Sequence, residues 1–188
     1  MLFRSGKDDL ALLWRIEGEL PQQTLALRER AAEVDTMLAA ALRERADTDA
    51  DARPARARSL NNLGVRLSDL GRREEALQTT DEAVGIYRQL AAQRPDAFLP
   101  DLASSLGAKG TVLEEIGNLA GAVAMFREGV ECLRPLFLRW PQAFRPLMTN
   151  LVVAYFRVCE TAEVEVDSDL IGEIVWRLED DKAGGAHT

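Results

Sequence analysis

The sequence predicts an all-α protein, an α-solenoid built from antiparallel helical hairpins. Three observations predict this fold: a pattern that recurs every 46 residues, apolar stripes at helical spacing within each repeat, and glycines that separate two stripes of one repeat. The composition agrees, since 47% of the residues are hydrophobic, 29% are charged, and strong helix formers are frequent. At 188 residues the chain is long enough to bury a sizeable core.

The repeat is visible when the chain is compared with itself. A shift of 46 residues pairs Leu60 with Leu106, Gly64 with Gly110, Leu67 with Leu113, Gly71 with Gly117 and Ala76 with Ala122. Prolines recur at the same interval, at Pro54, Pro100 and Pro146. The sequence therefore predicts repeats at 54–99 and 100–145, and a truncated third repeat at 146–180.

Each repeat has the pattern of two helices joined by a turn. In the first repeat, the buried face of the first helix is expected to contain Leu60, Leu63, Gly64 and Leu67. That of the second helix is expected to contain Ala76, Thr80, Ala83, Val84, Tyr87 and Leu90. The second helix of the next repeat has the same pattern at Ala122, Phe126, Gly129, Val130, Leu133 and Leu136. Pro54, Pro100 and Pro146 suit a first helical turn, where a missing N–H costs nothing. Gly71 and Gly117 end the first helices, and 93–96 and 139–142 end the second ones.

The two ends of the chain depart from the repeat. Residues 1–53 predict a divergent helical hairpin packed on the array, with helices at 8–16 and 21–45 around Gly18. Gly18 aligns with Gly64 or with Gly71, and both alignments stay open. In the third repeat Phe156 and Glu163 replace the expected glycines, and the second helix shortens to about 168–179. Terminal repeats of solenoids are atypical, and we expect residues 181–188 to be a disordered tail.

These residues resemble the tetratricopeptide repeat, whose first helix carries Leu-Gly between large residues and whose second helix opens with alanine. Leu63-Gly64, Leu67 and Ala76 match that pattern, as do Gly110 and Ala122. The run 59–64 followed by 71–77 is similar to the long bacterial repeats related to those of kinesin light chain. The resemblance implies a right-handed superhelix whose first helices line a concave groove that binds a protein or peptide.

The positions that line this groove in the family are carried over onto the first helix of each repeat. They are Arg58, Asn61, Asn62, Val65 and Ser68 in the first repeat, Ser104, Thr111 and Glu114 in the second, and Asn150 and Arg157 in the third. Asparagine amides can hold a peptide backbone, and arginines can bind a carboxylate through two hydrogen bonds. The alternative is that these residues are only solvated helix faces. In some members of the family a set of basic and asparagine side chains binds the C-terminal carboxylate of a chaperone. Only part of that set is present here, so we do not expect binding to a chaperone tail.

The first helix of the third repeat is apolar nearly all round, as a helix is when it is covered on more than one side. The residues in question are Leu147, Leu151, Tyr155 and Val158. Two interpretations remain open. Either the short last helix covers this surface as a cap, or it is the interface of a homodimer or of a partner.

Several function classes are excluded by composition. The net charge of −8 argues against nonspecific nucleic-acid binding, and Arg53, Arg56 and Arg58 are interpreted as a solvated helix start. The only histidine is His187, and neither a Walker loop nor a dinucleotide glycine fingerprint occurs. Cys132 and Cys159 are expected to be small buried hydrophobic residues rather than zinc ligands or a disulfide. We therefore expect no catalysis, no metal and no cofactor.

The absence of a long apolar run and of a signal-peptide pattern predicts a cytoplasmic protein without a membrane span. The leading hypothesis for function is a non-catalytic scaffold that binds a protein or peptide. A sensor or regulatory module of a bacterial signalling or transcription system is one alternative. A structural homo-oligomerisation unit is the other.

Overall fold

The computed structural model describes residues 25–46 and 52–184. Seven α-helices make up nearly all of these residues: α1 Leu25–Ala46, α2 Ala52–Asp69, α3 Arg73–Gln93, α4 Pro95–Glu115, α5 Leu119–Arg139, α6 Pro141–Ala162 and α7 Ser168–Gly184. No strand occurs in the part described. Successive helices pack together within two compact units, residues 1–90 and 91–188. The prediction of an all-α helical repeat array is thus confirmed.

The first unit is built around helix α2, which packs against both of its neighbours. The predicted stripes of α2 and α3 are buried throughout. Ala39 of α1 joins Leu60 of α2 and Ala83 of α3 in one core cluster. Gly64 allows this closeness, because a Cβ there would lie 2.4 Å from Thr80 Cγ2. Small residues on facing helices therefore allow the two helices of the hairpin to pack closely.

The second unit repeats this construction and adds a further pair of helices. The α5 stripe from Ala122 to Leu136 is buried at every predicted position. A Cβ on Gly110 of α4 would lie 2.9 Å from the Phe126 ring of α5. Leu151 of α6 approaches Gly107 of α4 and Gly129 of α5, whose added Cβ atoms would lie 3.0 and 3.1 Å from Leu151 Cδ2. Helix α6 is thus packed into the preceding hairpin.

The three turns that end α2, α4 and α6 share one backbone conformation. Gly71 and Gly117 have φ of 74° and 82°, and Glu163 has φ of 55°. Each turn has a backbone hydrogen bond spanning five residues: Arg72 N to Leu67 O, Asn118 N to Leu113 O, and Val164 N to Cys159 O. This is the Schellman ending of a helix. Glu163 adopts the left-handed conformation although it is not glycine.

The starts of α4 and α6 correct the prediction for the prolines. These helices begin at Pro95 and Pro141, so Pro100 and Pro146 lie inside them and not in their first turn. The residue before a proline disfavours the helical conformation. Arg94 and Trp140 accordingly have non-helical backbone angles, and the preceding helix ends there. A proline further along is tolerated in α4, because the carbonyl that Pro100 leaves without an N–H partner belongs to Asp96 in an exposed turn.

The chain ends differ from the prediction at one helix. Helix α7 begins at Ser168 as expected but continues to Gly184, so residues 181–184 are helical and not part of a disordered tail. Helix α5 continues through Pro135 and ends at Arg139. The predicted helix at 8–16, Gly18 and His187 lie outside the described residues. Among the helices described, none is long and apolar enough to cross a membrane.

Candidate functional site

The predicted groove residues of the second unit lie on α4 and α6, two first helices that contact each other. Ser104, Thr111, Asn150 and Arg157 are exposed, and Glu114 is half-buried. Arg157 binds Glu114 through two hydrogen bonds, Nη2 to Oε2 at 2.7 Å and Nε to Oε1 at 3.1 Å. This ion pair joins two predicted positions across successive first helices.

The ion pair changes the role that was expected of Arg157. The fork of its guanidinium was predicted to bind a carboxylate of the partner, yet it binds Glu114 of the same chain. A partner carboxylate would therefore have to compete with Glu114. The immediate consequence of the pair is that it bridges α4 and α6 on the surface that carries Ser104, Thr111 and Asn150.

The predicted groove residues of the first unit all lie on α2. Arg58 is exposed, Val65 is 44% exposed, and Asn61, Asn62 and Ser68 are half-buried. Positions 58, 61, 65 and 68 follow one helix face. Within the described chain the Asn61 side-chain oxygen is buried without a hydrogen-bond partner.

The apolar residues of α6 that left two interpretations open are mostly buried inside the second unit. Leu151, Tyr155 and Val158 are buried and Leu147 is half-buried. Tyr155 contacts the loop before α7, where its hydroxyl accepts a hydrogen bond from Asp167 N at 3.4 Å. Leu170, Ile171 and Ile174 of α7 are buried as well.

Tyr155 and Cys159 form a small titratable cluster one helical turn apart on α6. Burial raises the pKa of both groups, and the hydrogen bond between them raises the pKa of Tyr155 further while opposing the rise for Cys159. Both cysteines are free thiols: Cys159 is buried as predicted, and Cys132 is half-buried. Among the described residues, no group of three or more histidine, cysteine or carboxylate side chains is arranged to hold a metal ion.

A groove between α6 and α7 escaped the prediction from sequence. It has a volume of about 210 Å³ and is lined by Arg145, Thr149, Val152, Val153, Phe156, Val175, Leu178 and Glu179. Val153 is 58% exposed and Phe156 is 41% exposed. The signal that would have found it is Phe156 itself, because glycine stands at this repeat position in Gly64 and Gly110 and lets the paired helices approach.

Comparison with known proteins gives one match. A family model described as tetratricopeptide repeat matches residues 56–93, which lie in α2 and α3 and in the turn between them. A search of curated proteins gave no match. The matched segment includes Leu63-Gly64, Gly71 and Ala76, the residues that carried the resemblance, and the kinesin-light-chain-like type is compatible with it. The match and the helical hairpin that it covers support a tetratricopeptide-type repeat at residues 56–93, within an all-α array of helical hairpins.

Proposed function

We propose that this protein is a non-catalytic scaffold whose first-helix surfaces bind a partner protein or peptide. Tetratricopeptide repeats generally mediate protein–protein interaction, and the match at 56–93 supports that class of function. The observation that carries the proposal for these residues is the Arg157–Glu114 pair, which joins predicted binding positions of α4 and α6 on one surface. An ordered surface loses less conformational entropy on binding than a mobile one.

The chemistry of this surface suits a polypeptide chain. Ser104, Thr111 and Asn150 offer hydroxyl and amide groups, which can donate and accept hydrogen bonds with a peptide backbone. In the first unit, Val65 adds an exposed apolar contact. We infer that the backbone of the partner is held by these polar groups and that Val65 contributes contact area.

The burial of Leu151, Tyr155 and Val158 argues against a homodimer interface at these residues; Leu151 is covered by α4 and α5, and the Tyr155 contact with the loop before α7 supports the cap interpretation there. A side chain already covered by its own chain gains little from a second copy, since the free energy of burial scales with the area removed from water.

The test of the proposal is affinity capture from the native host, read by mass spectrometry. We expect Ser104→Ala with Asn150→Ala to weaken partner affinity about thirtyfold, because each of the two lost hydrogen bonds costs roughly 1 kcal/mol. Both side chains are exposed, so the melting temperature should stay the same. The matched control is Gln78→Ala with Gln89→Ala, two exposed positions on the second helix α3. Equal capture by both double variants would reject the first-helix surface.

A further inference from the structure

We propose that the groove between α6 and α7 docks a partner segment in which a large apolar side chain is followed by basic residues. This groove adjoins the first-helix surface, because Val153 shares a face of α6 with Asn150, but its lining does not include Ser104, Thr111 or Asn150. The partner chemistry follows from three features: an open apolar lining, a concentration of negative charge beyond one end, and nearby cations that are either paired with carboxylates or located at the opposite end.

The groove exists because Phe156 replaces the glycine that closes the other hairpins. At Gly64 and Gly110 the facing side chains, Thr80 and Phe126, come so close that a Cβ would collide with them. Phe156 cannot permit the same approach of α7, and a space of about 210 Å³ remains beside it. An apolar cavity of about 150 Å³ already holds a benzene molecule, so this groove has room for one leucine or aromatic side chain.

The lining of the groove is apolar at its centre. Val153 and Phe156 stay 58% and 41% exposed, and Val152, Val175 and Leu178 complete the lining. Covering exposed apolar surface stabilises a complex by about 25 cal/mol per Å². An apolar side chain is therefore the part of the partner that this lining accepts.

The two ends of the groove differ in charge. Beyond Phe156, the face of α6 continues one turn to Glu160, and Glu163 and Glu165 follow in the loop. All three are exposed, and none has an ion-pair partner among the residues described. The last turn of α6 contains no basic residue, and the helix dipole adds negative charge at this end.

The nearby cations do not cancel this charge. Arg157 is held by Glu114 through two hydrogen bonds, and Arg127 binds Asp167 and Glu131. Arg145 and Glu179 lie at the opposite end of the groove, so the charges there are one positive and one negative, and Arg145 donates to the carbonyls of 177 and 178. The groove therefore has a polarity, and a bound segment places its basic residues beyond Phe156, over the end of α6.

Two fluorescein-labelled probe peptides test this on the full chain. One carries a leucine–tryptophan pair followed by four lysines, and the other has four glutamates in their place. At about 50 mM salt, where exposed charges are weakly screened, we expect the lysine peptide to bind the protein at least about tenfold more tightly. Fluorescence anisotropy measures both affinities. Equal binding of the two peptides would overturn the proposal.

Three variants locate the binding. Phe156→Ser and Val153→Asp should each weaken the lysine peptide about tenfold, and both positions are exposed enough for the fold to persist, as a thermal melt checks. Glu160→Gln with Glu163→Gln and Glu165→Gln should remove the preference for lysine. The charge-matched control is Glu29→Gln with Glu44→Gln and Glu74→Gln, all exposed in the first unit.

Other outcomes assign the groove differently. If the control triple variant loses as much affinity as the variant with Glu160, Glu163 and Glu165 replaced, the lysine peptide responds only to the net charge of the protein, and the proposal fails. Analytical ultracentrifugation tests whether the protein self-associates. If it does and Val153→Asp abolishes the association, the groove binds a second copy of the chain and the proposal is wrong. The Ser104→Ala and Asn150→Ala variant should bind the lysine peptide normally, so failure of this proposal is distinguishable from failure of the first-helix surface.

Discussion

Glu163 adopts a left-handed backbone conformation that residues with a Cβ disfavour. Among the residues that the structure describes, it alone has a positive φ without being glycine, 55°. The turn is the same Schellman ending that Gly71 and Gly117 form, including the hydrogen bond from Val164 N to Cys159 O. A Cβ in the left-handed region costs roughly 1–2 kcal/mol, so the packing of α6 and α7 must offset this cost.

We expect Glu163→Gly to stabilise the protein by about 0.5–1 kcal/mol. The relief of backbone strain exceeds the extra conformational entropy that glycine brings to the unfolded chain, about 0.5–1 kcal/mol. Denaturant unfolding followed by circular dichroism measures the change. The matched control is Gly117→Ala, which should destabilise by about 1 kcal/mol through the backbone alone, since an added Cβ there meets nothing within 4 Å. A destabilised Glu163→Gly protein would contradict this account.

At the scale of helices, the contact between α1 and α2 contains a buried ion pair. Asp35 of α1 is 0% exposed, and its Oδ2 lies 2.6 Å from Arg66 Nε of α2. Ser59 of α2 also donates to the Asp35 carbonyl, at 3.4 Å. Sliding α1 along α2 would separate Asp35 from Arg66. Such a shift is unfavourable, because it would leave a buried charge without its partner. The pair therefore sets the register of α1 on α2.

Removal of one partner should be costly. We expect Asp35→Ala to lower the free energy of unfolding by about 3 kcal/mol, because it leaves Arg66 without its buried carboxylate. The exposed pair Arg30–Glu33 in the same helix α1 has a similar length, 2.8 Å, and provides the control. Glu33→Ala should cost less than about 0.5 kcal/mol. Denaturant titration of both variants measures the difference, and equal effects would show that burial of the pair is unimportant.

Over the whole molecule, the buried thiol and phenol of the second unit predict how stability depends on pH. Burial raises the pKa of Cys159 and of Tyr155 above the values of the unfolded chain. The unfolded chain therefore releases these protons first as the pH rises, at about pH 8.5 for cysteine and about pH 10 for tyrosine. The stability that these groups contribute is complete below about pH 8.5 and is lost progressively at higher pH.

We accordingly expect the free energy of unfolding to be nearly constant from about pH 7 to pH 8 and to fall above about pH 9. The double variant Cys159→Val with Tyr155→Phe should lose stability less steeply in that alkaline range, because it lacks both groups. Urea titrations at a series of pH values measure the slope. Identical slopes for the two proteins would show that other groups cause the alkaline unfolding.

Much of the fold was predictable from the sequence because its signals are local. The spacing of Leu60, Leu63 and Leu67 follows one helix face, and Gly71 ends that helix by a backbone conformation open to glycine. The starts of α4 and α6 were harder, since Pro95 and Pro100, like Pro141 and Pro146, are both compatible with a helix start. The residues before the first proline of each pair, Arg94 and Trp140, left the helical conformation, whereas the residues before the second, Leu99 and Arg145, kept it.

The sequence by itself determined the helical hairpins, their glycine turns and their buried stripes, because a period of 3.6 residues and the demands of a turn act on neighbouring residues. Tertiary structure alone decided which distant side chains meet. It paired Arg157 with Glu114 and Arg66 with Asp35, and it opened the groove beside Phe156. Such contacts depend on the distance between helices, which the volume of every side chain between them sets.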